Sequence, residues 1–97
     1  MVIITKSKLY QYVELNPQIK EPINDWYEKV NSSDWSCLAD IKNDFNNIDF
    51  VGNDRYVFNI KGNKFRLIVM IHFDIRTIYI RFIGSHAEYD KIDCITI

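Results

Sequence analysis

Arg55-Tyr56-Val57-Phe58-Asn59-Ile60-Lys61-Gly62-Asn63-Lys64-Phe65-Arg66-Leu67-Ile68-Val69-Met70-Ile71-His72-Phe73-Asp74-Ile75-Arg76-Thr77-Ile78-Tyr79-Ile80-Arg81-Phe82-Ile83 reads as three strands joined by two tight turns. The strands are Arg55 to Ile60, Phe65 to Phe73 and Ile78 to Ile83. They are rich in β-branched and aromatic side chains, which suit a packed pleated surface. Gly62-Asn63 tolerates positive φ and predicts a two-residue hairpin turn between the first pair. Asp74 to Thr77 joins the second pair. Links this short connect antiparallel neighbours, so the stretch predicts an antiparallel meander. A polar tail follows, Gly84-Ser85-His86-Ala87-Glu88-Tyr89-Asp90.

Strand alternation sorts the side chains into two faces. Phe65, Leu67, Val69, Ile71 and Phe73 share one; Arg66, Ile68, Met70 and His72 share the other. In the next strand Ile78, Ile80 and Phe82 alternate with Tyr79, Arg81 and Ile83. The wholly apolar sets predict a face covered by helices. Arg66 and Arg81 then stand on the opposite face.

The covering helices lie upstream. Val2 to Ile4 is a short strand or a hydrophobic lead-in. Thr5 is a candidate cap for a helix over Lys6 to Leu15, and Pro17 marks its boundary. A second helix around Pro22 to Val30 carries the stripe Ile19, Ile23, Trp26, Tyr27 and Val30. Asn31 to Asp34 is a polar connector. Ser36 is a candidate cap for a third helix, whose apolar residues Leu38, Ile41, Phe45 and Ile48 recur at helical spacing. Trp35 precedes it as an anchor. Asn46-Asn47 and Gly52-Asn53-Asp54 break the chain before the sheet. The sum is one domain over residues 1–97 of α+β class, helical over about 5–48 and sheet over about 55–97. Amino-terminal helices are expected to pack on one face of a small antiparallel sheet.

Charge divides along the same line. Residues 1–54 carry five basic and nine acidic side chains, a net of −4; residues 55–97 carry seven basic and four acidic, a net of +3. A polyanion would therefore meet the sheet half. The two cysteines, Cys37 and Cys94, make no disulfide framework and have no zinc-ligand cluster around them, which points to a reduced, cytoplasmic protein. No secretory leader or transmembrane run is read, because Arg66, His72, Arg76 and Arg81 interrupt the apolar strands.

Glycine-rich phosphate loops, helical metal motifs and nucleophile elbows are missing, so neither a metal nor a cofactor is expected. Metal-free acid–base chemistry assisted by arginines is what remains. Arg66 and Arg81 each have two readings, a cross-strand partner for an acid or a clamp for phosphate oxygens. His86 is a surface loop residue or a proton-transfer group. Tyr89 is an anchor closing the sheet or a stacking platform for a base. Asp90 is placed to hold His86 or an arginine, and Glu88 reads as solvated. Lys61 and Lys64 flank the hairpin turn, where they serve solubility or track a polyanion backbone. His72 reads as structural or incidental.

Val57-Phe58-Asn59-Ile60-Lys61-Gly62-Asn63-Lys64-Phe65-Arg66-Leu67-Ile68-Val69 resembles the signature of HigB-family toxins. So does Tyr79-Ile80-Arg81-Phe82-Ile83-Gly84-Ser85-His86-Ala87-Glu88-Tyr89-Asp90-Lys91-Ile92. Glu21-Pro22 through Trp26-Tyr27, Asp34-Trp35, and Ala39 through Lys42 with Phe45 and Asp49 through Gly52 extend the resemblance over nearly the whole chain. The resemblance implies a RelE-like α+β fold and an mRNA endoribonuclease of a type II toxin–antitoxin system, free or at the ribosome. It implies a HigA-type helix-turn-helix antitoxin as partner, with DNA reached only through that antitoxin and no membrane. Carried over by position, Arg66 resembles a phosphate-binding arginine, His86 a basic group near the leaving group, and Tyr89 a substrate-orienting aromatic. Lys61, Lys64, Arg81 and Asp90 fall to RNA binding or support. The rival readings are an RNA- or ribosome-binding module without catalysis, and an antitoxin-binding protein without nuclease activity.

Overall fold

β-Branched runs from both ends of the sequence meet in one sheet. The computed structural model describes residues 1–97. The elements run β1 (Val2–Ile4), α1 (Lys6–Leu15), a 3-10 turn (Pro17–Ile19), α2 (Lys20–Asn31), α3 (Leu38–Asp44), β2 (Ile48–Gly52), β3 (Arg55–Ile60), β4 (Phe65–His72), β5 (Thr77–Ser85) and α4 (His86–Tyr89). The strand order is β1-β5-β4-β3-β2. The expected meander is β3-β4-β5, antiparallel throughout. Two further strands extend it. β1 adds in parallel beside β5, pairing Val2 with Thr77 and Ile4 with Tyr79, with the rest of the chain as its crossover. The sheet is therefore mixed at that edge.

Three local expectations are corrected. Thr5 does not cap α1: its φ is 61° and its side chain makes no cap hydrogen bond. Its hydroxyl instead extends the β1–β5 ladder, donating to the Ile80 carbonyl at 3.0 Å and accepting from the Ile80 amide at 2.9 Å. Ser36 gives way to Cys37 as the residue entering α3; the Ser36 amide donates to the Asp40 carboxylate at 2.8 Å. Ile48 is not helical. α3 ends at Asp44, Phe45 is extended, and Ile48 opens β2 opposite Phe58. Phe45 and Ile48 both point inward, so a helical spacing was mimicked by a turn followed by a strand.

The core lies between the helices and one sheet face. Ile23, Trp26 and Val30 of α2, with Leu9 of α1 and Ile19 just before α2, are buried against Phe58, Leu67, Val69, Ile78 and Ile80. Phe58 is the aromatic hub: its ring centroid lies 5.6 Å from Trp26, 5.1 Å from Phe45 and 6.4 Å from Trp35. Trp35 is anchored through its indole N–H, which donates to the Asp44 carboxylate at 2.7 Å.

A β-bulge alters the expected faces of β5. Ile80 pairs with Val69 and Phe82 with Ile68, leaving Arg81 as the extra residue. Ile83 consequently faces the core, 5% exposed, and Phe82 moves to the opposite face, the reverse of strict alternation. That opposite face is covered at its centre. Val57 and Ile68 are 1% and 0% exposed yet stand outside the main core cluster. α4 packs over β4 and β5, and the segment after it returns across the sheet. No helix is long and apolar enough to cross a membrane.

Candidate functional site

The hairpin end of β3 and β4 and the start of α4 come together because Phe65 pairs with Ser85. The hairpin loop is Lys61 to Lys64, closed by the Lys64 amide donating to the Lys61 carbonyl at 3.4 Å. Positive φ falls on Lys61 (52°) and Gly62 (67°), so Lys61 takes the left-handed conformation expected of Asn63. An asparagine ladder steadies this loop. Asn59 Nδ2 donates to the Asn47 side-chain oxygen at 2.7 Å, and Asn47 Nδ2 donates to Asn63 Oδ1 at 3.1 Å. Sequence reasoning missed this ladder, because Asn47 is remote from the hairpin and joins it through β2.

Arg66 lies between Asn59 on one neighbouring strand and Gly84 on the other. Its Nη1 donates to the Asn63 carbonyl at 2.8 Å. Its guanidinium also sits over the Tyr89 ring, Cζ 5.6 Å from the centroid, a cation–π geometry. A Cβ on Gly84 would fall 2.5 Å from the Phe82 ring and 3.2 Å from Glu88 Cβ. Glycine is what lets Phe82 and α4 close down beside Arg66.

α4 has only four residues and is held from outside. Ser85 and Glu88 form a capping box: the Glu88 amide donates to Ser85 Oγ at 3.2 Å, and the Ser85 amide donates to the Glu88 carboxylate at 2.9 Å. The Tyr12 hydroxyl of α1 donates to the same carboxylate at 2.8 Å. The Ser85 amide, then the Tyr12 hydroxyl, hold Glu88 below the usual carboxylate range. Burial, then Glu88, pushes Tyr12 up to about 12. Glu88 is thus exposed but engaged, not simply solvated. The Ser-x-x-Glu spacing was a legible signal for it.

On this helix, His86 and Asp90 pair through Nδ1 and Oδ2 at 3.0 Å. The His86 amide donates to the Lys64 carbonyl at 3.0 Å, tying α4 to the hairpin loop. The His86 side chain is 53% exposed. Tyr89 is half-buried, and burial, then a hydrogen bond with Cys94, raises its hydroxyl above the ordinary value. It stays protonated at neutral pH. Lys61 and Lys64 are exposed and form no ion pair; the ion pairs are Arg76–Asp34 and His86–Asp90. No group of three or more metal-ligating side chains clusters anywhere in the chain.

Lys61, Lys64, Arg66, His86, Tyr89 and Asp90 therefore gather at one end of the sheet. Arg81 does not join them. It lies three residues before Gly84, the partner of Arg66, or roughly 10 Å along the strand. A cleft of about 350 Å³ opens on the helical side, lined by Trp26, Phe45, Asn59 and Lys61 among others, and excludes Arg66, His86 and Tyr89. The candidate site is thus an open surface, suited to a polymer crossing it more than to an enclosed small molecule.

A family model describing the HigB toxin, a RelE-like toxic component of a toxin–antitoxin system, matches residues 19–92. The chain belongs to the HigB toxin family. Among similar proteins, the mRNA interferase HigB of Escherichia coli O6:H1 is 29% identical over 94 residues, covering 95% of this chain and 91% of that protein. The mRNA interferase toxin HigB of Escherichia coli K12 is 32% identical over 92 residues, covering 93% of this chain and 88% of that protein. The HigB family match spans α2 through α4, so the hairpin and the α4 cluster both lie within it.

Proposed function

We propose that this HigB-family chain is an mRNA endoribonuclease, cutting single-stranded RNA by transesterification. The relatives named as mRNA interferases support the substrate. The observation that carries the chemistry is the cation–π contact of Arg66 with Tyr89 beside the His86–Asp90 pair. On this reading Arg66 serves as the phosphate-binding fork, His86 as the proton-transfer group and Tyr89 as the aromatic platform.

In this scheme the 2′-hydroxyl attacks the adjacent phosphorus and the 5′ oxygen leaves. The products are a 2′,3′-cyclic phosphate and a free 5′-hydroxyl. DNA is spared because it lacks the nucleophile. Arg66 stabilises charge building on the phosphoryl oxygens. His86, oriented by Asp90, takes or delivers a proton. Tyr89, protonated at neutral pH, stacks against a base or donates its hydroxyl hydrogen. Lys61 and Lys64 hold flanking phosphates.

The family's place in toxin–antitoxin systems supports a HigA-type helix-turn-helix antitoxin as the neutralising partner. Purified protein is incubated with a transcript, with and without ribosomes, and the termini are mapped. Cyclic phosphate ends are expected, with the ribosome arm deciding whether translation is required. Undiminished cutting by the double variant His86→Ala, Tyr89→Phe would sink the assignment. Tight RNA binding without any cut product would favour a binding module instead.

A further inference from the structure

Arg55 is the most buried charged residue of the chain, 9% exposed, and no role falls to it in the site above. It pairs across the sheet with Met70, on the face away from the main core. Its Nε and Nη2 donate to the main-chain oxygen of Ile97 at 3.2 and 2.7 Å. Its Nη1 donates to the Asn53 carbonyl at 2.9 Å and lies 3.3 Å from the Met70 sulfur. Arg81 Nε donates to the same Ile97 oxygen at 3.3 Å. The β5 bulge is what presents Arg81 there, since it frees that residue from the ladder.

Two guanidiniums thus converge on one oxygen, and no side-chain carboxylate pairs with either. A buried cation is costly unless acceptors or an anion offset its desolvation, and for Arg55 the Ile97 and Asn53 oxygens do so here. Paired guanidinium forks match the oxygens of a phosphate group. The segment supplying the oxygen is held to the strands mainly through these two arginines. Its other hydrogen bond to the strand side is from Asn53 Nδ2 to the Ile95 carbonyl at 2.9 Å, and Ile95 is 44% exposed. Arg55 also lies four residues along β3 from Asn59, the partner of Arg66. That is roughly 13 Å along the strand, and the Arg66 guanidinium is engaged with the Asn63 carbonyl and the Tyr89 ring, not with Ile97.

We propose that Arg55 and Arg81 form a second phosphate site, for an RNA phosphodiester away from the cleaved one, and that residues 91–97 occupy it when RNA is absent. This rests on the RNA-cleaving reading and extends it. RNA running from the hairpin end along the sheet replaces the Ile97 oxygen with a phosphate oxygen and lifts the segment off.

The test uses the full chain and a single-stranded oligonucleotide with 2′-deoxy sugars, which binds without being cut. Amide exchange at residues 93–97 is expected to quicken when the oligonucleotide is bound. The salt dependence of binding, log K against log salt, is expected to be shallower in Arg55→Gln than in the wild type by about 0.7, one phosphate contact. Arg81, only half-buried, gives a second variant, Arg81→Gln, should the buried site not fold. Unchanged exchange in the bound state, or wild-type salt dependence in folded variants, overturns the proposal. Cleavage of the matching ribose oligonucleotide is measured alongside. A chain that cuts RNA while residues 93–97 stay protected loses this site and keeps its nuclease activity. A chain that cuts nothing but releases the segment keeps the site and loses the nuclease reading.

Discussion

The guanidinium of Arg66 rests on the ring of Tyr89, with Cζ 5.6 Å from the ring centroid. One residue comes from the hairpin end of the central strand and the other is the last residue of α4. Their contact ties the Arg66 side chain to the helix that carries His86. It also leaves the guanidinium over an aromatic surface, with Nη1 donating to the Asn63 carbonyl.

Separating the ring from the hydroxyl of Tyr89 follows directly. Tyr89→Phe keeps the platform beneath Arg66 and is expected to leave RNA affinity close to wild type. Tyr89→Ala removes the platform and is expected to cost about 1–3 kcal/mol of binding. Fluorescence anisotropy with an uncleavable oligonucleotide reads both. Equal losses in the two variants would show that the ring does not stack on RNA.

Arg66→Ala is expected to lower the single-turnover cleavage rate by about 100-fold to 1,000-fold, the usual loss for one donor to a developing oxyanion. Arg66→Lys keeps the charge but loses the planar fork, and is expected to recover only part of the rate. Full recovery by lysine would mean that charge alone is used.

His86→Ala is expected to lower the rate by about 100-fold to 10,000-fold. Asp90→Ala leaves the imidazole present but no longer held at 3.0 Å. A smaller loss is expected, up to about 100-fold, as for a misplaced catalytic group. Asp90→Ala falling as far as His86→Ala would give Asp90 a direct part in the chemistry.

Glu88 gives a pH signature. The Ser85 amide and the Tyr12 hydroxyl hold it below its ordinary 4.5, so the folded chain takes up its proton later than the unfolded chain as pH falls. Its stabilising contribution is complete above about 4.5 and is lost as pH drops through the lower folded value. Glu88→Gln lacks that contribution at every pH. The urea midpoints of wild type and Glu88→Gln are therefore expected to differ at neutral pH and to converge in acid. A constant gap would show that the carboxylate's charge is not what anchors α4.

Asp44→Ala probes the core. It strands the Trp35 indole N–H, which has the Asp44 carboxylate as its partner at 2.7 Å. A loss of about 1–3 kcal/mol in urea unfolding is expected, with the cleavage rate of the folded fraction unchanged.

Residue alternation and turn chemistry determined much of this protein in the sequence alone. The hairpin at Gly62, the meander of β3, β4 and β5, the bounds of α1 and the buried stripe of α2 follow from spacings of two and of three to four, which act locally. The resemblance carried by residues 57–69 and 79–92 also sufficed to indicate the family, now matched over residues 19–92. Tertiary structure decided what local rules do not reach. Whether Ile48 continued a helix or opened a strand depended on Phe58 waiting opposite it. Thr5 became a ladder residue because Ile80 offered both an amide and a carbonyl. The bulge at Arg81 depended on register, which no single strand encodes, and it sent Arg81 to Arg55 instead of Arg66. Pairwise partners distant in sequence are chosen by what the folded chain brings within hydrogen-bonding range, and that choice set which arginine serves which part of the surface.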